Sequence, residues 1–325
     1  MSMASRQRDG GINMKILIAY DGSRSSDSAL DDLERTGLPD SGDALVVTVA
    51  EVWLPPPGSE NSNGDTPEFI KEIVRKHREK GERWLAAAEM MARHAQDRLR
   101  KILPDWNITS KATYGSPAWE ILTAADEFRP DLVIVGSHGH SAISRFVLGS
   151  ISQKVLTESE SSVRVARGRV EVDPTPLRLI VGFDGSDGAR AAVDAVLSRS
   201  WPKGTEVRLV AATDSIVPTA IGRFIPPVAD WAEEELRAEY KWVADLAETA
   251  ARSLTKAGLR VLTRIVEGNP NYILVHEAEN WNADAIFVGA NAFGSRIERF
   301  LLGSTSAAVA ARAHCSVEVV RRKKD

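Results

Sequence analysis

The residues best suited to chemistry are Gly136, Gly139, Gly149 and Ser150, set in the run VGSHGHSAISRFVLGS from Val135 to Ser150. Consecutive amides of a glycine-rich turn can point into one concavity. A helix opening at Ser150 adds unpaired N–H groups and the positive end of its dipole. That is anion-binding chemistry. Gly136 and Gly139 are expected to take positive φ or to approach a phosphate closely. Ser150 is expected to cap its helix or lend its hydroxyl to an oxygen. Taken alone, the pattern also fits tight turns and close packing. His138 and His140 lie inside the loop, either meeting an anion or facing solvent, and Arg145 has the same two readings.

Asp21 is the second candidate, at the end of the β run Met14 to Tyr20. Its carboxylate could accept a bond from a ribose hydroxyl or cap the helix that begins near Arg24. The loop is not GxxxxGKS, and no GxGxxG follows the first strand directly. The chain has no HExxH, no histidine–carboxylate group with metal spacing and no GxSxG elbow. A hydrolytic triad could be drawn from Ser150, His138 and Asp21, but no spacing argues for it.

The elements that must position these residues occur twice. The runs Met14–Tyr20 and Arg178–Phe183 end in Asp21-Gly22-Ser23 and Asp184-Gly185-Ser186. Strands are expected at Ala44–Ala50 and Glu206–Ala212, and long helices near Pro67–Leu103 and Trp231–Ala257. In the first long helix, Trp84, Ala88, Met91, Ala95, Leu99 and Ile102 recur as a core-facing stripe. Pro117 and Pro270 each open a further helix after a glycine turn. Strands at Leu132–Val135 and Ala285–Val288 lead into the glycine loops, and strands at Ser162–Ala166 and Ser316–Val320 close each half. The expectation is two tandem α/β domains, residues 14–167 and 177–321, joined by a linker at 168–176. Each would be a doubly wound, Rossmann-like parallel sheet of five main strands. In such folds ligands sit at the carboxyl ends of strands where strand order reverses, and both Asp21 and Gly136 fall at such ends. The polar loop Leu54–Pro67 and the apolar stretch Ser215–Pro227 differ between the halves and read as a lid or a packing arm, the first equally as a plain surface connection.

Composition excludes several classes. The 325 residues carry 41 basic and 45 acidic side chains, a formal charge of -4 that gives no general pull toward nucleic acid. The basic tail from Arg321 to Asp325 is expected to be a solvated end. A lone cysteine, Cys315, excludes an internal disulfide and reads as an inert buried thiol at the start of a strand. No apolar stretch approaches the length of a membrane span and the first residues lack a secretory apolar run, so the expected location is the cytoplasm.

The order of landmarks resembles the universal stress protein family in its tandem two-domain form. Gly136, Gly139, Gly149 and Ser150 fit the G-x2-G-x9-G-S/T spacing of the family's ATP-binding members. The resemblance implies that the base would be held near Ala19, Tyr20 and Val49, mostly by main chain, and that Asp21 would lie near the ribose. Val135, at the end of the fourth strand, and the loop glycines Gly136, Gly139 and Gly149 would match further nucleotide-binding positions, and Ser150 and Ile151 would meet the phosphates by amide or hydroxyl. A divalent ion, Mg2+ or Mn2+, would bridge phosphate oxygens. The second loop departs: Gly289 and Gly294 stand further apart, and Phe293 takes the place of Gly139. The resemblance further implies pairing of the halves through their last strands, with Val163 and Val165 meeting Val317 and Val319 in an internal pseudo-dimer. A homodimer through outer surfaces stays open, as does an unnamed protein partner. The expected function is an ATP-binding sensor or scaffold in a stress response. The alternatives are a slow ATPase or phosphotransferase using His138 or His140, and a protein-interaction module that binds no nucleotide.

Overall fold

A computed structural model of the chain describes residues 13–54, 67–139, 148–167, 176–213, 226–290 and 302–322, with backbone alone for 226–237 and 239. The first half runs β1 (Met14–Ala19), α1 (Arg24–Asp31), a 3-10 turn (Asp32–Arg35), β2 (Gly42–Ala50), α2 (Glu68–Ile102) and β3 (Asn107–Tyr114). It continues with α3 (Pro117–Phe128), β4 (Leu132–Gly136), α4 (Ser150–Glu158) and β5 (Ser162–Ala166). The second half repeats this as β6 (Arg178–Gly182), α5 (Asp187–Leu197), β7 (Glu206–Thr213), α6 (Pro226–Lys256) and β8 (Arg260–Glu267). Then follow α7 (Pro270–Trp281), β9 (Ala285–Gly289), α8 (Ser304–Arg312) and β10 (Ser316–Val320).

All ten strands form one sheet in the order β3-β2-β1-β4-β5-β10-β9-β6-β7-β8. Within each half every pairing is parallel. Strand order reverses between β1 and β4, and again between β6 and β9. Helices cover both faces, so strand interiors need no polar side: Ile16, Leu17, Ile18, Leu132, Val133 and Ile134 are all sealed from solvent. Each such side chain contributes about 1.5–3 kcal/mol relative to exposure. Leu17, Val133 and Val135 point to a cluster that continues into the second half through Ile180, Val288 and Val317. Ile16, Ile18, Leu132 and Ile134 point the other way, under α1 and α2. The strands β3 and β8 lie at the two outer edges of the sheet. Their alternating polar runs, NITSKATY and RVLTRIVE, leave one side to solvent.

The stripe on α2 is only partly a core face. Ala88, Ala95 and Leu99 are fully buried, whereas Trp84 is 54% exposed. With 35 residues, α2 is about 50 Å long, against about 30 Å for its strand, so its first turns project past the sheet.

The halves join along β5 and β10, which pair antiparallel with Val317 opposite Val165 and Val319 opposite Val163. These are the four valines expected to meet. Between them Glu318 faces Arg164. Both are sealed from solvent, and both lie in a chain of ions across the seam. Arg164 Nε donates to Asp32 at 2.6 Å, and its Nη1 lies 3.4 Å from Glu318. Arg199 grips Glu318 from the second half with both Nη groups. Burial opposes a charge at Arg164, but the two carboxylates outweigh it and hold the guanidinium above its ordinary value.

Two further arginines cross the seam reciprocally. Arg167 donates to Ala310 O at the end of α8 (2.7 Å), and Arg321 donates to Leu156 O near the end of α4 (2.7 Å). Each helix thus receives a cation at its negative end from the other half. Desolvation lowers both guanidinium groups to about 10. The expectation of a solvated basic tail therefore fails at Arg321, which is tied into the fold. Most of the linker, 168–175, lies outside the described residues, as do most of the loops after β2 and β7.

Candidate functional site

The site is built where β1 and β4 diverge. The turn after β1 carries two residues able to cap a helix, and Ser23 does so: its Oγ accepts from the Ser26 N–H at 3.2 Å. Asp21 instead accepts from the Ser23 N–H at 3.0 Å, closing the turn before the helix. The expected capping role of Asp21 is therefore corrected. Its second carboxylate oxygen, Oδ2, stands 3.2 Å from where a Cβ on Gly139 would lie. Two residues more than 100 positions apart in sequence are neighbours. The second half builds the same turn, with Asp184 accepting from Ser186 N–H and Ser186 capping α5.

The glycine loop is held by packing rather than by unusual torsion. Neither Gly136 nor Gly139 has positive φ, which leaves close approach as the surviving one of the two expected roles, and Gly149 has none either. A Cβ on Gly136 would lie 2.7 Å from Ser25 Oγ and 2.9 Å from the Ser25 carbonyl carbon, so α1 crosses β4 too closely for any side chain. Two bonds staple the loop ends: Gly149 N–H to Ser137 O at 2.8 Å, and Ser152 Oγ to Gly136 O at 2.6 Å. Gly149, not Ser150, is the N-cap of α4, and no side chain among the described residues caps that helix. Ser150 is its exposed first residue, so its expected capping role is also corrected. The hydroxyl and the first amides of α4 keep their hydrogen-bonding capacity toward a ligand.

The remaining expected residues share one face. Ala19, Val49 and Ile151 pack half-buried against the cluster that contains Val135. Tyr20 differs. Its N–H donates to Val47 O, and its side chain turns under α1, where the hydroxyl donates to Asp27 Oδ1 at 2.8 Å. Burial, then that bond, pushes the phenol up to about 12. Only the main chain of Tyr20 is left to face a ligand. Trp119 is a surface residue, 56% exposed, with the Lys154 ammonium 4.1 Å from its ring centre. His138 receives or gives a bond at Nδ1 to Ser137 Oγ, 2.9 Å away. His140, Arg145, Phe293 and Gly294 lie outside the described residues.

Three serines escaped the sequence reading. Ser152 had a signal: GSxS occurs in both halves, and Ser306 bonds Gly289 O at 2.6 Å as Ser152 bonds Gly136 O. Ser25 and Ser137 had none, since they lack counterparts in the second half.

Comparison with known proteins agrees with this geometry. Residues 13–167 and again 177–321 match the sequence model of the Universal stress protein family. A universal stress protein of Mycolicibacterium smegmatis is 28% identical over 246 residues, covering 73% of this chain and 79% of its own. One from Mycobacterium tuberculosis is 25% identical over 313 residues, covering 94% and 97%. The crystal structure of a universal stress protein from Archaeoglobus fulgidus superposes with a TM-score of 0.58 at 22% identity, over 96% of this chain and 97% of its own, and so shares the fold. With two family domains in tandem and their last strands paired across the seam, the chain belongs to the universal stress protein family.

Proposed function

We propose that the first half binds an adenine nucleotide, ATP, and that the chain works as a nucleotide-dependent sensor or scaffold in a stress response. One observation carries this reading: the Asp21 carboxylate and the Gly139 backbone meet at the sheet's switch point, beside a helix start that no described side chain caps. Asp21 Oδ2 would face a ribose hydroxyl. Main chain at Ala19 and Tyr20, with the half-buried Val49, would border the base. The amides of Gly139, Ser150 and Ile151 would take phosphates. Mg2+ or Mn2+ would enter with the triphosphate, held mainly by its oxygens and by water. The site offers phosphate positioning, which is only part of phosphoryl-transfer chemistry, so binding rather than turnover is the proposed role.

Calorimetric titration of nucleotide-stripped protein with ATP and Mg2+, beside Gly139→Phe, tests it. The expected result is one saturable site, lost in the variant because a side chain there drives into Asp21. No heat from the unaltered protein sinks the nucleotide reading.

A further inference from the structure

The two glycine loops share their staples but not their attachment to the first helix of each half. In the first half, the His138 N–H donates to Ser25 Oγ at 3.2 Å, Ser25 Oγ lies 3.4 Å from Ser137 Oγ, and Ser137 Oγ lies 2.9 Å from His138 Nδ1. Donors run one way around this ring when His138 carries its proton on Nε2: His138 amide to Ser25, Ser25 to Ser137, Ser137 to the imidazole. Both serines are buried, at 7% and 4% exposure. The ring ties α1 to the backbone one residue before Gly139.

In the second half the same positions are empty of hydroxyls. Gly188 occupies the place of Ser25, because a Cβ on Gly289 would strike Gly188 as one on Gly136 would strike Ser25. Ala290 replaces Ser137: it accepts the Gly303 N–H as Ser137 accepts the Gly149 N–H. In sequence, Asn291 follows where His138 stands. All three members of the ring are changed together.

We propose that Ser25 is a positioning residue which, with Ser137 and His138, pre-sets the first glycine loop for phosphate, and that the second half, whose residues Gly188, Ala290 and Asn291 cannot build this ring, forms no second ATP site. This rests on the nucleotide reading above. A loop that must be ordered at the moment of binding lowers apparent affinity by the fraction of time it is competent. A latch made before binding removes that cost.

The test uses the full chain, stripped of nucleotide. Site-resolved amide exchange compares the unaltered protein with Ser25→Ala. The expected result is His138 amide exchange faster by about tenfold, the loss of roughly one buried hydrogen bond. The Ser26 amide, bonded to Ser23 Oγ, is expected to keep its rate, which separates loss of the latch from damage to α1. Titration with ATP and Mg2+ is expected to give one site per chain, weakened about tenfold by Ser25→Ala and similarly by Ser137→Ala. Unchanged His138 exchange, unchanged affinity in both variants, or two sites per chain overturns the inference. If the unaltered protein takes up no ATP, the nucleotide reading falls, and the His138 exchange comparison still decides whether the latch exists.

Discussion

Arg164→Met is expected to destabilise the fold by about 3–5 kcal/mol, the usual cost of leaving a buried charge without its partner. The sealed chain across the seam holds two carboxylates, Asp32 and Glu318, and two guanidinium groups, Arg164 and Arg199. Removing Arg164 leaves Glu318 with Arg199, but Asp32, 5% exposed, keeps only the Ser316 hydroxyl at 2.8 Å among the described residues. The penalty is thus assigned to Asp32, which gives a second arm. Asp32→Asn in the Arg164→Met background restores neutrality while keeping an acceptor for Ser316. The double variant should therefore recover about 2 kcal/mol relative to the sum of the single changes. Urea unfolding followed by far-UV dichroism and tryptophan fluorescence measures all three variants against the unaltered chain. Additive costs, or a cost below about 1 kcal/mol for Arg164→Met, would refute the assignment, because a buried carboxylate stripped of its cation must cost more than that and must be relieved when it is neutralised.

Three further outcomes are expected. Burial pushes the Cys315 thiol up to about 12, so native protein at neutral pH should resist a disulfide reagent and label only as it unfolds; immediate labelling would contradict its burial. Tyr20 is raised from 10.0 to about 12, so the fold favours its neutral form, and that stability is full below pH 10 and lost as pH rises through about 12. Tyr20→Phe should therefore flatten the alkaline fall in urea midpoint over that window, and parallel curves for the two proteins would count against it. Gly289→Ala would place a Cβ 2.2 Å from the Gly188 carbonyl carbon; a loss of at least about 1–3 kcal/mol by thermal or urea unfolding is expected, and a neutral effect would show that α5 can retreat from β9.

The fold was legible wherever period and punctuation agreed. The apolar runs at Ile16–Ala19 and Leu132–Val135, each ending in a glycine turn, put Asp21 and Gly136 at strand ends that the structure finds at the sheet's reversal. The third strand of each half has no clear signature, because an edge strand with polar or charged residues interleaved carries no continuous apolar run. Trp84 misled because periodicity records which side of α2 is apolar and says nothing about where the sheet beneath it ends. Asp21 and Ser23 are both good capping residues two positions apart, and only the geometry tells which carries the helix and which closes the turn. The latch at Ser25 and Ser137 gave no signal, since isolated serines are common and a bond between positions over 100 residues apart has no spacing rule. The ion chain did leave one. SVRVA and SVEVV differ at their central residue by a reversal of charge, where a strand covered on both faces should have none.

That reversal also decides which strands can meet. Arg164 and Glu318 are equivalent positions of the repeat and lie directly opposite one another, so the pseudo-twofold axis relating the halves passes between them. Two copies of β5 paired in this register would set Arg164 against Arg164, and two copies of β10 would set Glu318 against Glu318. Either pairing buries like charges at zero exposure, the arrangement in which ionisation is most strongly opposed. The mixed pair alone neutralises itself, and the flanking charges reinforce the choice, with Asp32 reaching Arg164 and Arg199 reaching Glu318. The charges therefore exclude pairing of like strands, and the mixed pair they allow is the one made within this chain. The two halves are then held together whatever either loop binds.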